Sequence, residues 1–203
     1  MSGGLSPVDR GELVAPSPEV APRLLNKLLV VDGRVGRIVE VEAYMGPDDP
    51  ASHAYRGETP RTASMFGRPG LLYTYLSYGI HTCANVSTGE TGSGQAVLLR
   101  ALEPVAGLDA MRVARPAAHR DRDLANGPGK LCAAMGVTLA HDGTDLCSPE
   151  SPVRLCRDDV QPPKRPVVTR RVGITRATER PWRFLVPDSQ FVSKPVKHEG
   201  PAR

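Results

Sequence analysis

The amino-acid sequence predicts an α+β fold, a single compact domain in which most strands pair antiparallel. Its 203 residues suffice for one domain with a substantial core and are too few for two enzymatic domains. The chain contains 20 Gly and 20 Pro, which indicates many turns rather than long helices. Short alternating stretches separated by Gly turns, with short helical segments between them, are typical of this fold class.

The first predicted elements are a helix and a strand. Residues 17–19 supply an N-cap serine, a proline for the first helical position and an acidic first turn, so we expect a helix over 17–28. Residues 32–33, Asp-Gly, predict a turn. Alternation over 34–44 then predicts a strand on which Ile38 shares a face with Glu42.

The remaining elements follow from turn signals and periodicity. Residues 46–68 form a long polar loop, which is typical of a functional segment. A hairpin over 71–78 and 80–87 turns at Gly79 and precedes a strand over 96–102. The later elements are helical segments at 107–115, 121–125 and 129–135, a Gly136 cap, an irregular loop with short strands at 148–171, and last strands at 171–174 and 182–186.

The domain limits follow from composition at the two ends. We expect a flexible N-terminal arm over 1–16, the folded domain over 17–195 and a disordered tail over 196–203. No stretch approaches the roughly 20 apolar residues of a membrane span, and the start lacks the features of a secretory signal. Four widely spaced cysteines without a C-x-x-C pair favour reduced thiols, as in a cytosolic protein.

Charge and aromatic content point toward the type of ligand. A net charge of +4 and a pI near 9.0 are compatible with a polyanionic partner. All 5 tyrosines fall between positions 44 and 78. Such a cluster indicates either a surface on which flat ligands stack or a core whose hydroxyl groups must all be satisfied.

Glu42 is the first candidate for chemistry. It lies two residues before Tyr44, so both side chains project from one strand face about 7 Å apart. A carboxylate beside an aromatic ring suits hydrolysis of a flat ligand, because the carboxylate activates water while the ring stacks. Glu40 shares this face and with Glu42 resembles a glycosidase pair. A solvated strand face with two ordinary carboxylates explains the same pattern.

Two further side chains near this strand could act with Glu42. Arg100 lies in an otherwise apolar strand and needs a carboxylate partner, for which Glu42 is suitable. His53 follows in the polar loop, close to Arg61, where a neutral imidazole could contact a base edge or a phosphate. Simple exposure of His53 is the alternative.

Two segments have features suited to nucleic acid. Tyr78 lies at the turn of the predicted hairpin, where a large side chain could enter a groove or, alternatively, cover the end of the core. Residues 126–131 (Asn-Gly-Pro-Gly-Lys-Leu) lack the pattern of a nucleotide-binding P-loop. They still form a Gly-rich turn that opens onto a helix with Lys130 in its first turn, which favours a contact to one DNA phosphate.

Together these segments resemble the alkyladenine (3-methyladenine) DNA glycosylase family, the type with a compact single domain. The resemblance covers most of residues 34–195, with the motifs in the order found in the family. The matching segments are 37–47, His53, 59–61, 65–66, 69–79, 83–85, 97–104, 127–132, 171–173 and 181–184. The resemblance implies a curved, mostly antiparallel sheet with surrounding helices, like that of formyltransferase C-terminal domains.

The resemblance also implies roles for individual residues. Glu42 is expected to deprotonate the attacking water, which Arg100 and the backbone carbonyl of Val172 help to hold. The expected base pocket has Tyr44 and Tyr75 on either side of the flipped base, His53 at its edge and Asn85 obstructing the guanine 2-amino group. The expected DNA-contacting residues are the intercalating Tyr78 together with Thr59, Arg61, Met65 and Lys130.

These roles imply a monofunctional enzyme of base-excision repair. It would excise alkylated or deaminated purines from double-stranded DNA as a monomer, in the cytoplasm beside the bacterial nucleoid or in a eukaryotic nucleus. No lysine replaces Glu42, so lyase activity is not expected, and no metal or other cofactor is implied. The rival hypotheses are a non-catalytic nucleic-acid-binding protein on the same fold and a nucleoside or sugar hydrolase using Glu40 and Glu42.

Overall fold

A strongly curled antiparallel sheet organises the protein in a computed structural model that describes residues 4–194. The strands are β1 (Ser6–Pro7), β2 (Leu28–Val31), β3 (Arg34–Tyr44), β4 (Leu72–Ser77), β5 (His81–Thr88), β6 (Gln95–Ala106), β7 (Val153–Arg157), β8 (Val167–Thr169) and β9 (Arg183–Leu185). The main path of the sheet runs in the order β1-β7-β2-β3-β6-β5-β4, while β9 pairs with both β3 and β8. The predicted α+β fold with antiparallel pairing is confirmed.

In the described part of the chain, four α-helices pack around this sheet. They are α1 (Ser17–Leu24), α2 (Ala63–Phe66), α3 (Leu108–Ala114) and α4 (Pro128–Met135). The predicted glycine cap of α4 is confirmed, since Gly136 has a φ of 78° and donates its N–H back into the helix. None of the helices within residues 4–194 is long and apolar enough to cross a membrane.

The predicted Asp32–Gly33 turn and the predicted hairpin at Gly79 both form as their turn residues indicate. Asp32 and Gly33 join β2 to β3 with φ values of 45° and 73°, the left-handed geometry of a two-residue type I′ turn. Tyr78 and Gly79 have φ values of 52° and 73° at the tip of the β4–β5 hairpin. The backbone therefore presents Tyr78 at the extreme end of this hairpin.

Strand β3 is central because it pairs with β2, β6 and β9. Its register against β6 shifts between Ile38 and Glu40, and such a bulge reverses the alternation of side chains beyond it. Ile38 therefore packs in the main core with Val41. The prediction that Ile38 shares a face with Glu42 is wrong for this reason.

Helix α1 ends four residues earlier than predicted. The backbone of Leu25 is extended, and Asn26 has a φ of 65°, which terminates the helix. The next residues, Leu28–Val31, are apolar and β-branched in part and form β2, which is paired on both edges by β3 and β7. Long-range pairing thus overrides the helical pattern at its end.

The predicted N-terminal arm requires a correction over residues 4–16. Strand β1 pairs with β7, and Val8 and Leu13 are buried in the core. Arg10 makes two hydrogen bonds to the carboxylate of Asp145 at 2.8 and 2.7 Å. These contacts join the segment to the folded domain. Residues 1–3 and the predicted tail over 196–203 lie outside the described residues.

The loops near the end of the chain match the predictions in part. The irregular segment 148–171 contains β7 and β8, as expected, and β9 corresponds to the strand predicted at 182–186. The strand predicted at 171–174 does not form. Here the N–H of Val172 donates to the carboxylate of Glu42 instead of to a neighbouring strand. The departure from regular structure therefore coincides with the candidate site.

Candidate active site

A cleft of about 600 Å³ opens beside strands β3 to β6. The loops around residues 50–53 and 172–176 and the start of α4 complete its walls. Most of the residues that the sequence predicts for the site line this cleft. They are Tyr44, His53, Arg61, Met65, Tyr75, Tyr78, Asn85, Arg100 and Val172.

Glu42 lies directly behind this wall. Its side chain is 0% exposed, and the residues that bind it (Tyr44, Arg100 and Val172) all line the cleft. The Val172 N–H donates to Oε1 at 2.7 Å, and the Tyr44 hydroxyl donates to Oε2 at 3.0 Å. Arg100 Nη1 lies 3.2 Å from the same Oε2. The carboxylate is thus held at the cleft between three donors.

The environment of Glu42 favours its neutral form more than water does. Burial raises the pKa of this carboxyl, and the attraction of Arg100 and the hydrogen bonds from Val172 and Tyr44 offset the effect only in part. A carboxylate with a raised pKa is a stronger base, as general-base catalysis near neutral pH requires.

Glu40 lies two residues earlier on β3, and its pKa is shifted in the opposite direction. Its side chain is also 0% exposed, and it accepts hydrogen bonds from Arg100 and Arg183 at 2.8 Å each. Burial opposes its charge, but Arg100 and Arg183, with a hydrogen bond from the backbone of Ser193, outweigh burial and lower the pKa. The predicted pairing of Arg100 with Glu42 is confirmed, and Arg100 also binds Glu40.

The aromatic wall of the cleft comes from β4 and the polar loop. The rings of Tyr73 and Tyr75 stack with centroids 5.7 Å apart at 25°. His53 meets the Tyr75 ring edge-on at 4.4 Å, and its Nδ1 lies 3.0 Å from the Tyr73 hydroxyl. His53 as a whole is exposed, but partial desolvation of its ring beside these tyrosines and the charge of Arg61 lower its pKa, which favours the neutral imidazole.

Asn85 and Met65 lie deeper in the cleft. Asn85 pairs with Tyr73 across the β4–β5 ladder, is 5% exposed and donates its amide to the Tyr73 carbonyl at 3.1 Å. Met65 is 3% exposed and packs in a small cluster with Tyr73. The structure therefore places Met65 in the interior wall and not on the outer surface, where a DNA backbone would lie.

Arg171 was not singled out from the sequence, although it supports the opposite wall. It is fully buried with Asp49, to which Nη2 donates at 2.9 Å. Its guanidinium lies over the Tyr44 ring at 4.6 Å and donates to the Ala43 carbonyl at 3.0 Å. The ion pair with Asp49 thus holds the Arg171 guanidinium against the Tyr44 ring, and it fixes the backbone next to Val172.

The mouth of the cleft carries exposed and cationic side chains. Tyr78 is 91% exposed, and Arg61 and Thr59 are exposed in the neighbouring loop. Thr59 and Arg61 also line an adjoining recess of about 410 Å³, together with Arg176. Lys130 is exposed in the first turn of α4 and donates to Asn126 at 2.8 Å. Thr59 and Lys130 therefore lie outside the main cleft.

This arrangement defines a class of site in which aromatic side chains line a cleft next to a buried carboxylate. Comparison with known proteins gives the family. Residues 12–190 match the family described as methylpurine-DNA glycosylase. The chain belongs to this family of DNA glycosylases, hydrolases of base-excision repair.

Individual relatives support the same assignment over nearly the whole chain. A protein of Burkholderia lata is 52% identical over 179 residues, which cover 88% of this chain and 86% of the relative. A protein of Nocardia farcinica is 49% identical, with 90% and 88% covered. A protein of Rhodopseudomonas palustris is 47% identical, with 96% and 94% covered. All three carry the name "Putative 3-methyladenine DNA glycosylase".

Proposed function

We propose that this protein extrudes alkylated or deaminated purines from double-stranded DNA and hydrolyses their N-glycosidic bond, leaving an abasic site. The substrates are 3-methyladenine, 7-methylguanine, hypoxanthine and ethenoadenine. The observation that carries the proposal is the carboxylate of Glu42, buried and held at the wall of an aromatic cleft. Such a site binds a flat base and supplies a base catalyst at the same place.

Glu42 activates the water in this proposal. A carboxylate has about four acceptor positions, and Val172, Tyr44 and Arg100 account for three contacts to it. One acceptor position therefore remains for a water proton. Departure of the purine leaves an oxocarbenium-like sugar, which the negative charge of Glu42 stabilises while the water adds to it. Arg100 and the Val172 carbonyl hold the water.

The cleft walls select the base. Tyr44 and Tyr75 hold the purine between their rings, and the neutral His53 contacts its edge or its sugar. Asn85, held by the Tyr73 carbonyl, obstructs the 2-amino group of guanine. Met65 completes the inner surface, since it lines the cleft but is 3% exposed.

The cleft mouth binds the duplex. Tyr78, at the hairpin tip, enters the minor groove and fills the space left by the extruded nucleotide. Thr59, Arg61 and Lys130 contact phosphates, which fix the register of the protein on the DNA. We propose that the protein acts as a monomer on chromosomal DNA in the cytoplasm.

The enzyme is monofunctional in this proposal. Strand cleavage by a lyase needs an amine that forms a Schiff base with the sugar, and the described residues lining the main cleft include no lysine. Borohydride should therefore trap no covalent protein–DNA adduct during excision. A trapped adduct would contradict a purely hydrolytic mechanism.

One assay tests the function. Duplex oligonucleotides that carry hypoxanthine, 1,N6-ethenoadenine or 7-methylguanine are incubated with the wild type and with Glu42→Gln. We expect abasic sites with the wild type only and retained lesion binding in the variant, because glutamine keeps the shape of the side chain without its basicity.

The other outcomes separate the rival hypotheses. Binding by the wild type without excision of any lesion would indicate a non-catalytic nucleic-acid-binding protein. Excision from free nucleosides but not from duplex DNA would indicate a nucleoside hydrolase. Equal excision by both proteins would contradict the role of Glu42.

A further inference from the structure

The C-terminal end of the described chain returns to the back of the candidate active site. Ser193 donates its backbone N–H to Glu40 Oε2 at 2.6 Å and its hydroxyl to Glu40 Oε1 at 2.8 Å. Arg100 Nη2 reaches the same hydroxyl at 3.3 Å. Ser193 is separated from Glu40 by 153 residues along the chain, and it lies beyond residue 190, where the match to the family ends.

Arg183 completes this arrangement from β9. Its Nε donates to Glu40 Oε1 at 2.8 Å, and its Nη2 donates to the Lys194 carbonyl at 2.7 Å. Arg183 thereby binds Glu40 and the C-terminal segment at once. Four donors thus converge on Glu40, and the side chains of Glu40, Arg100 and Arg183 are all at least nine-tenths buried.

Arg100 joins this cluster to the catalytic carboxylate. Its Nε binds Glu40 at 2.8 Å, while its Nη1 lies 3.2 Å from Glu42. The shorter contact is the one to Glu40, and the Ser193 hydroxyl holds a third nitrogen. The guanidinium is planar, so fixing two of its nitrogens also fixes the direction of the third.

We propose that Glu40, Arg183 and Ser193 form a buried clamp that positions Arg100. In this clamp the Glu40 carboxylate compensates part of the charge of Arg100, so that Arg100 stays beside Glu42 without fully offsetting the negative charge of Glu42. The three clamp residues are positioning residues, since none of them lines the cleft as Arg100 does. The proposal rests on the proposed function, because it assumes that Glu42 is the base.

The charge of Arg100 is shared between Glu40 and Glu42, and this sharing affects the strength of Glu42 as a base. If Glu40 were neutral, the full charge of Arg100 and the nearby charge of Arg183 would stabilise the Glu42 carboxylate and weaken it as a base. The repulsion between Glu40 and Glu42 contributes in the same direction. The groups facing Glu42 are Glu40 and Tyr44 of β3, Tyr75 of β4, Cys83 of β5, Arg100 of β6, Arg183 of β9, and Arg171 and Val172 of the loop between β8 and β9.

The test is the pH dependence of single-turnover excision by Glu40→Gln at saturating protein. The substrate is a duplex with 7-methylguanine, whose cationic base leaves without being protonated. We expect a slower plateau and an acid limb displaced to lower pH, because Glu42 loses its proton more easily in the variant. A purely structural Glu40 would reduce the plateau and leave the acid limb at the wild-type pH, which would overturn the proposal.

A second pair of variants applies even if Glu40→Gln does not fold. Ser193→Ala removes the hydroxyl that Arg100 and Glu40 share and should slow excision, whereas Ser193→Thr keeps the hydroxyl and should restore it. Equal rates for Ser193→Ala and the wild type would contradict the clamp. The matched control is Asp158→Asn, which removes the carboxylate partner of Arg37 outside the cleft and should leave the acid limb unchanged.

The failure of this proposal is distinguishable from failure of the proposed function. If the wild type excises no lesion, both are overturned. If Glu42→Gln is inactive but Glu40→Gln has the wild-type acid limb, the glycosylase mechanism stands and the clamp alone is wrong.

Discussion

Two glutamates on one strand, Glu40 and Glu42, are equally buried and differ in what surrounds them. Glu40 is bound by Arg100, Arg183 and Ser193, and its pKa is lowered. The attraction of Arg100 offsets the burial of Glu42 only in part, and the pKa of Glu42 is raised. The greater number of cationic partners therefore gives Glu40 the lower pKa of the two.

The raised pKa of Glu42 predicts how activity depends on pH. The base must be deprotonated, so excision of 7-methylguanine should fall as the pH decreases through the raised pKa. The acid limb should lie above the value of about 4.3 for an ordinary glutamate. Single-turnover rates across pH check this, with lesion binding measured at each pH as the control. A rate that stays constant down to the pKa of an exposed glutamate would contradict it.

The same contrast predicts different effects on stability. Glu40 has a lowered folded-state pKa, so its contribution is present above the unfolded pKa and is lost as pH falls through the folded pKa. At pH 7, Glu40→Gln should lower the free energy of unfolding by on the order of 3 kcal/mol, because two buried arginines lose their anion. Glu42, with a raised pKa, destabilises the fold once ionised, so Glu42→Gln should cause no comparable loss. Denaturant unfolding of both variants measures the difference, and equal losses would contradict it.

For individual residues, the sequence predicted the type of partner that a side chain needs better than it predicted which residues are in contact. A charge in the apolar strand β6 indicated that Arg100 needs a carboxylate, and the structure provides Glu42. The same signal, a charge between Trp182 and Phe184, could have identified Arg183. Nothing local indicates that Ser193 binds Glu40, because the tertiary fold alone brings together residues so far apart in the chain.

At the scale of elements, the β4–β5 hairpin carries both a pocket wall and the proposed wedge. Tyr75 lines the cleft, while Tyr78 at the tip is 91% exposed. The β4–β5 hairpin, the turn at Asp32–Gly33 and strand β3 were predictable, since turn residues and alternation are local. The end of α1, the strand β2 and the segment 171–174 were not, because pairing with β7 and the carboxylate of Glu42 determines them.

The hairpin tip predicts an effect on binding without one on folding. Tyr78→Ala should reduce affinity for lesion duplexes roughly tenfold or more, since stacking of a base on an aromatic ring contributes about 1–3 kcal/mol. The melting temperature should be unchanged because the side chain is exposed. Fluorescence anisotropy and thermal unfolding measure the two quantities. Val113→Ala, at an 81% exposed apolar residue of α3, is the control, and an equal effect of both variants on affinity would refute the wedge.

For the whole molecule, the net charge of +4 has to be considered together with the positions of the cationic side chains. Arg61 and Arg176 lie at the cleft and its adjoining recess, with no carboxylate partner among the described residues. Arg112, by contrast, pairs with Asp109 and Asp121 at α3 and just beyond it. Composition alone indicated a polyanionic partner, whereas the curved sheet followed from the family resemblance.

This placement predicts the salt dependence of DNA binding. Removing one cation that binds a phosphate should reduce the slope of log K against log salt concentration by about 0.9. Arg61→Ala and Arg176→Ala should each show such a reduction on undamaged duplex, whereas Arg112→Ala should keep the wild-type slope. Titrations at several salt concentrations provide the slopes. An equal reduction for all three variants would indicate a diffuse effect of net charge and would contradict a localised DNA-binding surface.

The proposed reaction depends on Glu42 in its chemical step. The most direct measurement is the single-turnover rate of lesion excision by Glu42→Gln and by the wild type, each at saturating protein on the same duplex. For the variant we expect a rate lower by roughly 10²–10⁴-fold, the usual contribution of general-base catalysis, with half-saturation at the wild-type concentration. A wild-type rate at saturation, with only the half-saturation concentration increased, would contradict it and would reduce Glu42 to a binding residue.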